Sequence, residues 1–229
     1  MDEVDIRVAV LSLIRRMCRG RELPVIASEF SLNGTGIRAD LAVLSDTFIG
    51  IEIKSAADTL KRLPSQLKGY AAYFDNTLLV AAPKHLDAIA KLQLNAAEVW
   101  SVAASGAMRC QLPGGRNPVP SQALFHLLTQ EERRRAMRRI DPPAAQIVGP
   151  PILSDEAARV AFEKTFRDRY GETSQAFWDT VKQRRIQRDD LSLLSRFHAD
   201  REQWRQAKEA RASHWANWVA SIDAQSKIS

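Results

Sequence analysis

Apolar and polar positions along the chain change period several times, and each change marks an element. Ile6, Val10, Leu13, Ile14 and Met17 recur at helical spacing, so residues 4–19 read as an amphipathic helix that Gly20 stops. Three β-rich runs follow. Val25–Leu32 is closed by Asn33-Gly34-Thr35-Gly36, Ile37–Leu44 by Ser45-Asp46, and in residues 48–55 Ile49, Ile51 and Ile53 alternate with period two. Turns this short predict an antiparallel meander. Leu63, Leu67, Tyr70, Ala71 and Phe74 then share one helical face, with Pro64 in the first turn. Residues 78–82 form a short apolar run of the kind a sheet buries on both faces. Residues 84–94 read as helix, and residues 98–104 and 108–112 as closing strands around Ser105-Gly106.

The order α-β-β-β-α-β predicts an α/β fold, a mixed sheet flanked by helices, over residues 1–112. Seven of the ten prolines fall between Pro113 and Pro151, so the chain is expected to divide there. Residues 113–153 read as a linker carrying a basic helix over 121–139, which ends in Arg133, Arg134, Arg135, Arg138 and Arg139. Residues 154–229 read as an all-α C-terminal extension, with three helices broken near Gly171 and Asp189-Asp190.

Composition changes this picture little. The chain has 229 residues, 45% apolar and 26% charged, enough for one good core and a second unit. A net charge of +6, spread along the chain, is compatible with a polyanionic partner without requiring one. Cys18 and Cys110 are far apart and form no ligand cluster, which points to a reducing compartment and no structural zinc. The acidic start Met-Asp-Glu-Val-Asp and the lack of an apolar run near ~18 residues argue against a signal sequence or a membrane span. A cytoplasmic location is the expectation.

Candidate chemistry gathers between Glu29 and Tyr70. Glu52 and Lys54 are two apart on a strand and share a face, while Ile51 and Ile53 take the other. The neighbouring strand carries Asp40. Two carboxylates on adjacent strands can hold Mg²⁺ or Mn²⁺, hard cations that seek oxygen, and the Ile53 carbonyl lies between the two side chains. Lys54 could orient a water or steady charge on phosphorus. The other reading is a solvated strand face with a cross-strand ion pair.

Arg38-Ala39-Asp40 followed by Gly50-Ile51-Glu52-Ile53-Lys54 resembles the D…(D/E)-x-K signature of the PD-(D/E)XK, or restriction-endonuclease-like, nucleases. The element order is that family's core, and Ala39 stands where the signature has proline. Gln66-Leu67-Lys68-Gly69-Tyr70 is similar to the Q-x-x-x-Y element of the RecB-like branch, which has bacterial and phage members. The resemblance covers residues 1–112. It implies a Mg-dependent deoxyribonuclease, in which Mn²⁺ substitutes for Mg²⁺, acting in repair, phage biology or defence.

In this resemblance Asp40, Glu52, Lys54, Gln66 and Tyr70 are catalytic, and Asp40, Glu52, the Ile53 carbonyl and Glu29 hold the metal. The alternative is a catalytically silent DNA-binding or protein-interaction module on the same fold. Lys61, Arg62 and Lys68 are candidates for phosphate contacts, with a solvated helix face as the plainer reading. The arginine cluster divides in the same way, between DNA backbone and a basic helix end. Trp178, Trp204, Trp215 and Trp218 read as core anchors of a helical unit that could bind a partner protein or a second copy. His85, His126, His198 and His214 lack ligand spacing and read as surface or helix-packing residues.

Overall fold

The computed structural model describes residues 1–32, 34–140 and 153–195. Helix α1 (Glu3–Met17) opens on Asp2, whose side chain accepts from the Asp5 amide at 3.0 Å, with acids in the first turn and Arg15 and Arg16 in the last. It buries Ile6, Val10 and Leu11, whereas Met17, expected on the apolar face, is 67% exposed. Strands β1 (Val25–Leu32), β2 (Ile37–Leu44) and β3 (Phe48–Lys54) form the antiparallel meander that the short turns predict. Helix α2 (Leu63–Tyr73) crosses to β4 (Asn76–Ala81), which is parallel to β3. A 3₁₀ turn (Pro83–His85) and one turn of helix, α3 (Leu86–Ile89), replace the longer helix expected over 84–94. Strand β5 (Glu98–Val102) then runs parallel to β4, and β6 (Met108–Leu112) closes antiparallel to β5. The six strands lie in sequence order in one mixed sheet.

Both faces of that sheet are covered. Ile26, Leu41, Val43, Ile51, Ile53 and Val80 pack on one side with Ile6, Val10 and Leu11 of α1. On the other, Leu63 and Leu67 of α2 meet Leu79, Ala81 and Val99, so β4 is buried on both faces as its apolar run predicts. Phe30, Phe48, Tyr70 and Phe74 form an aromatic cluster on this second side. Gly50 permits it, because a Cβ there would run into the Phe74 ring.

The division expected at residue 113 does not separate compact units: Met1–Leu194 cluster as one. The proline-rich stretch is pinned where it is described, with Gly115 N–H donating to Ala96 O at 2.9 Å and Asn117 N–H to Asp75 O at 2.7 Å. The basic helix is two helices, α4 (Ser121–His126) and α5 (Gln130–Ile140). Thr129 and Glu132 form a reciprocal capping box that starts the second one.

Residues 154–194, expected in a separate helical unit, instead extend the sheet's core. Helix α6 (Asp155–Val181) passes through Gly171 without a break, about 40 Å of helix. Its Ala158, Phe162, Phe166 and Tyr170 join the aromatic side, and its Phe177, Trp178 and Val181 join the α1 side. Trp178 Nε1 donates to Pro24 O at 2.9 Å, and Ser174 Oγ accepts from Ile26 N–H at 3.0 Å, so α6 shields the open edge of β1. A 3₁₀ helix (Arg188–Leu194) follows. The tryptophans at 204, 215 and 218, His198 and His214 lie outside the described residues. Among the described residues no helix is long and apolar enough to cross a membrane.

One ion pair ties these layers together. Asp75 is 3% exposed, takes Arg159 of α6 through both oxygens at 3.0 and 2.6 Å, and accepts from Phe48 N–H at 2.7 Å. Burial raises its carboxyl, but Arg159 and the Phe48 amide outweigh burial and hold it below the ordinary range. A depressed carboxyl contributes stability above the unfolded value, ~3.9, and loses it as pH falls through the folded one. Asp75→Ala should therefore cost ~3 kcal/mol at neutral pH in urea unfolding. The gap to wild type should close on acidification, and a gap independent of pH would contradict the assignment.

Candidate active site

Strands β2 and β3 part at one place, and the functional candidates stand there. Their ladder runs from Leu44↔Phe48 to Leu41↔Ile51 and stops. Asp40 is the next residue on β2. Its Oδ2 reaches across the gap and accepts from Ile53 N–H at 2.7 Å, so a side chain supplies the acceptor the ladder no longer provides. On β1 the same level carries Glu29, at φ +55°, a left-handed backbone that costs of order 1–3 kcal/mol for a residue other than glycine. Ala27 and Phe30 enter the same core cluster, as do Ala39 and Ala42, so both strands change phase at this level. Glu29, Asp40 and Glu52 thus form a row across three strands.

Glu52 is 1% exposed and Lys54 7%. The solvated strand face is therefore not what the fold builds: helix α2 covers it. Every Glu52 oxygen has a donor, Oε1 from Lys54 Nζ at 2.5 Å and Gln66 Nε2 at 2.6 Å, and Oε2 from the Tyr70 hydroxyl at 2.5 Å. Gln66 and Tyr70 reach it together because i and i+4 share a helix face. Burial, and then the Glu52 charge, push the Tyr70 hydroxyl far up, which keeps it a neutral donor. Gln66 Oε1 is buried with no partner.

Asp40 is the open member of the group, its side chain 19% exposed. Burial first and the Glu52 charge second raise its carboxyl to about 7, against the Ile53 amide and Arg7, which lower it. The site is short of positive charge at this point. Oxygen donors, a crowded carboxylate pair and an orphaned amide oxygen fit a hard divalent cation.

The other candidates fall at different distances from this centre. Glu29 is engaged by Arg7 NH2 at 2.8 Å and Arg38 Nε at 2.7 Å. Lys61 and Arg62 precede α2, and Lys68 lies on the side of α2 opposite Gln66. All three are exposed, and their side chains have no carboxylate partner among the described residues. Sequence reasoning missed Glu3 and Arg7, whose i,i+4 pairing on α1 signals only a helix surface contact. It also placed His85 at the surface or in helix packing. His85 is buried at the end of β3, its Nε2 donating to Ser55 O at 2.9 Å.

The fold and centre define an α/β protein whose six-stranded mixed sheet buries a carboxylate–lysine pair beside a second carboxylate. The sequence profile described as Bacteriophage P4 protein cII matches residues 1–195, and the chain belongs to that family. Protein cII of Enterobacteria phage P4 is 30% identical over 89 residues, 39% of this chain and 33% of that protein, so the match spans a third of the relative's length. Among solved structures, a protein of unknown function from Silicibacter pomeroyi superposes with a TM-score of 0.40 at 17% identity, over 63% of this chain and 94% of that one.

Removing one donor from a buried carboxylate should show in stability. Tyr70→Phe should cost ~2 kcal/mol, the scale of a hydrogen bond to a charged group. In a Glu52→Gln background the same change should cost less than half as much. Equal costs in the two backgrounds, by urea unfolding, would mean that the hydroxyl does not serve Glu52.

Proposed function

We propose that this chain is a metal-dependent nuclease of the PD-(D/E)XK type that hydrolyses phosphodiester bonds in DNA. The observation that carries the proposal is the convergence of Asp40, Glu52 and Lys54 where β2 and β3 part, with Gln66 and Tyr70 clamped onto Glu52 from α2. The match to a phage protein family supports a phage setting over repair or host defence.

Asp40, Glu52 and the Ile53 carbonyl would hold Mg²⁺ or Mn²⁺. When bound, such an ion polarises a phosphoryl oxygen and lowers the pKa of its water. The chain's own residues do the rest. The Ile53 amide fixes the Asp40 rotamer, and Gln66 and Tyr70 fix that of Glu52. Lys54 is held by Glu52 where its ammonium can position the attacking water and steady charge building on phosphorus. Lys61 and Arg62, exposed at the start of α2, are placed to take flanking phosphates, and Lys68 extends that basic surface.

One observation favours the runner-up, a catalytically silent DNA-binding or interaction module: Glu52 is closed off and every oxygen on it has a donor. Cleavage of plasmid and single-stranded DNA with Mg²⁺, Mn²⁺ or EDTA separates the two. The wild type should cut only with metal, Asp40→Asn and Glu52→Gln should not cut, and Lys54→Ala should be slower by ~100-fold or more. Equal rates in all three variants would place the chemistry elsewhere. Folded protein that binds DNA in EDTA and never cuts it would establish the silent module.

A further inference from the structure

The carboxylates of Glu3 on α1, Glu29 on β1 and Asp40 on β2 bring oxygens within 4.8 Å of one another. A side chain already stands among them. Arg7, one turn after Glu3, donates NH2 to Glu3 Oε1 at 2.6 Å and to Glu29 Oε1 at 2.8 Å, and that nitrogen lies 3.9 Å from Asp40 Oδ1. Its NH1 donates to Ser28 Oγ at 3.3 Å. The side chain is 12% exposed and its Nε is buried with no partner. A guanidinium so withdrawn from water, with one N–H unpaired, is costly unless its charge is needed where it sits.

Asp40 divides its two oxygens accordingly. Oδ2 turns to β3 and the Ile53 amide, while Oδ1 turns toward Arg7. A divalent ion bound with Glu52 would use the β3 side, and a second ion would need the place Arg7 fills. We propose that Arg7 is a built-in cation standing in for a second metal, so that the centre binds one divalent ion per chain, and Glu3 and Glu29 anchor Arg7 instead of ligating. The inference rests on the metal-centre reading above.

Charge bookkeeping agrees. Glu3, Glu29, Asp40 and Glu52 face Arg7, Arg38 and Lys54, four anions against three cations, which leaves one negative charge. One divalent ion turns that to a single positive charge, suited to a phosphodiester anion. A second would raise the centre to three positive charges, with a guanidinium fixed among them. Arg7 is thus a positioning residue: it holds Glu29 and the outer oxygen of Asp40 without touching the reacting atoms.

The test counts Mn²⁺ by electron paramagnetic resonance titration of the full chain, without nucleic acid. The wild type should bind one ion, Asp40→Asn none, Arg7→Gln two and Arg7→Lys one. Glu29→Gln should still bind one ion, a result that does not depend on the Arg7 variants folding. Two ions in the wild type, one in folded Arg7→Gln, or loss of the ion in Glu29→Gln would each overturn the inference while leaving a metal centre in place. No ion in the wild type would overturn the metal-centre reading and this inference with it.

Discussion

The charge of Glu52 is carried into a space that is 1% exposed, and much of the molecule is arranged to make that tolerable. A buried carboxylate is costly unless all its lone pairs are served. Lys54 comes free with the strand, since residues two apart share a face. Gln66 and Tyr70 require α2 to lie across the end of β3 at one fixed rotation. Gly50 lets Phe74 sit directly on β3, and the Phe30–Phe48–Phe74–Phe166 aromatic cluster holds α2 from beneath. Phe162 and Phe166 come from α6, and Arg159 of the same helix is locked to Asp75. The helix that reads from sequence as a separate unit is therefore a support of the centre. The family profile, which ends at residue 195, covers that compact unit to its last residue, Leu194.

A second constraint acts from the other side of the sheet. Glu29, Asp40 and Glu52 in a row across antiparallel strands set like charges opposite one another, which is destabilising. The structure resolves this by giving up pairing. Asp40 bonds to a backbone amide, Glu29 takes a left-handed backbone, and Arg7 and Arg38 divide the remaining charge. Local irregularity here coincides with the row of carboxylates. It also leaves Asp40 both crowded and partly open, the condition in which a carboxyl near neutrality gains most from a cation.

The meander, the crossover to β4 and the closing hairpin were legible in the sequence because period and turn chemistry are local properties, and so was the pairing of Glu52 with Lys54 and of Gln66 with Tyr70. Local pattern misled where packing decides. Gly171 reads as a breaker, but α6 passes through it because flanking Phe166, Tyr170, Ser174 and Phe177 are all buried against other elements. The prolines after Pro113 read as a linker, but Asn117 is buried and bonded to Asp75 and Phe74. The capping box at Thr129 and Glu132 was available in the letters, and marks the break between α4 and α5 that apolar spacing passes over.

By itself the sequence determined which residues share a strand or helix face, since a 2.0 or 3.6 period is set by backbone geometry alone. Together with the resemblance to the PD-(D/E)XK signature, that was enough to assemble Asp40, Glu52, Lys54, Gln66 and Tyr70 as one candidate group. Only the tertiary structure decided that Glu52 is buried, that Glu29 is committed to arginines, and that Arg7 from the first helix enters the same centre. The first depends on Gln66 and Tyr70, 14 and 18 positions along the chain. The other two depend on contacts between whole elements, such as those of Arg7 with Glu29 and Asp40, 22 or more positions away. No periodicity encodes such contacts, because they arise from where whole elements come to rest against the sheet.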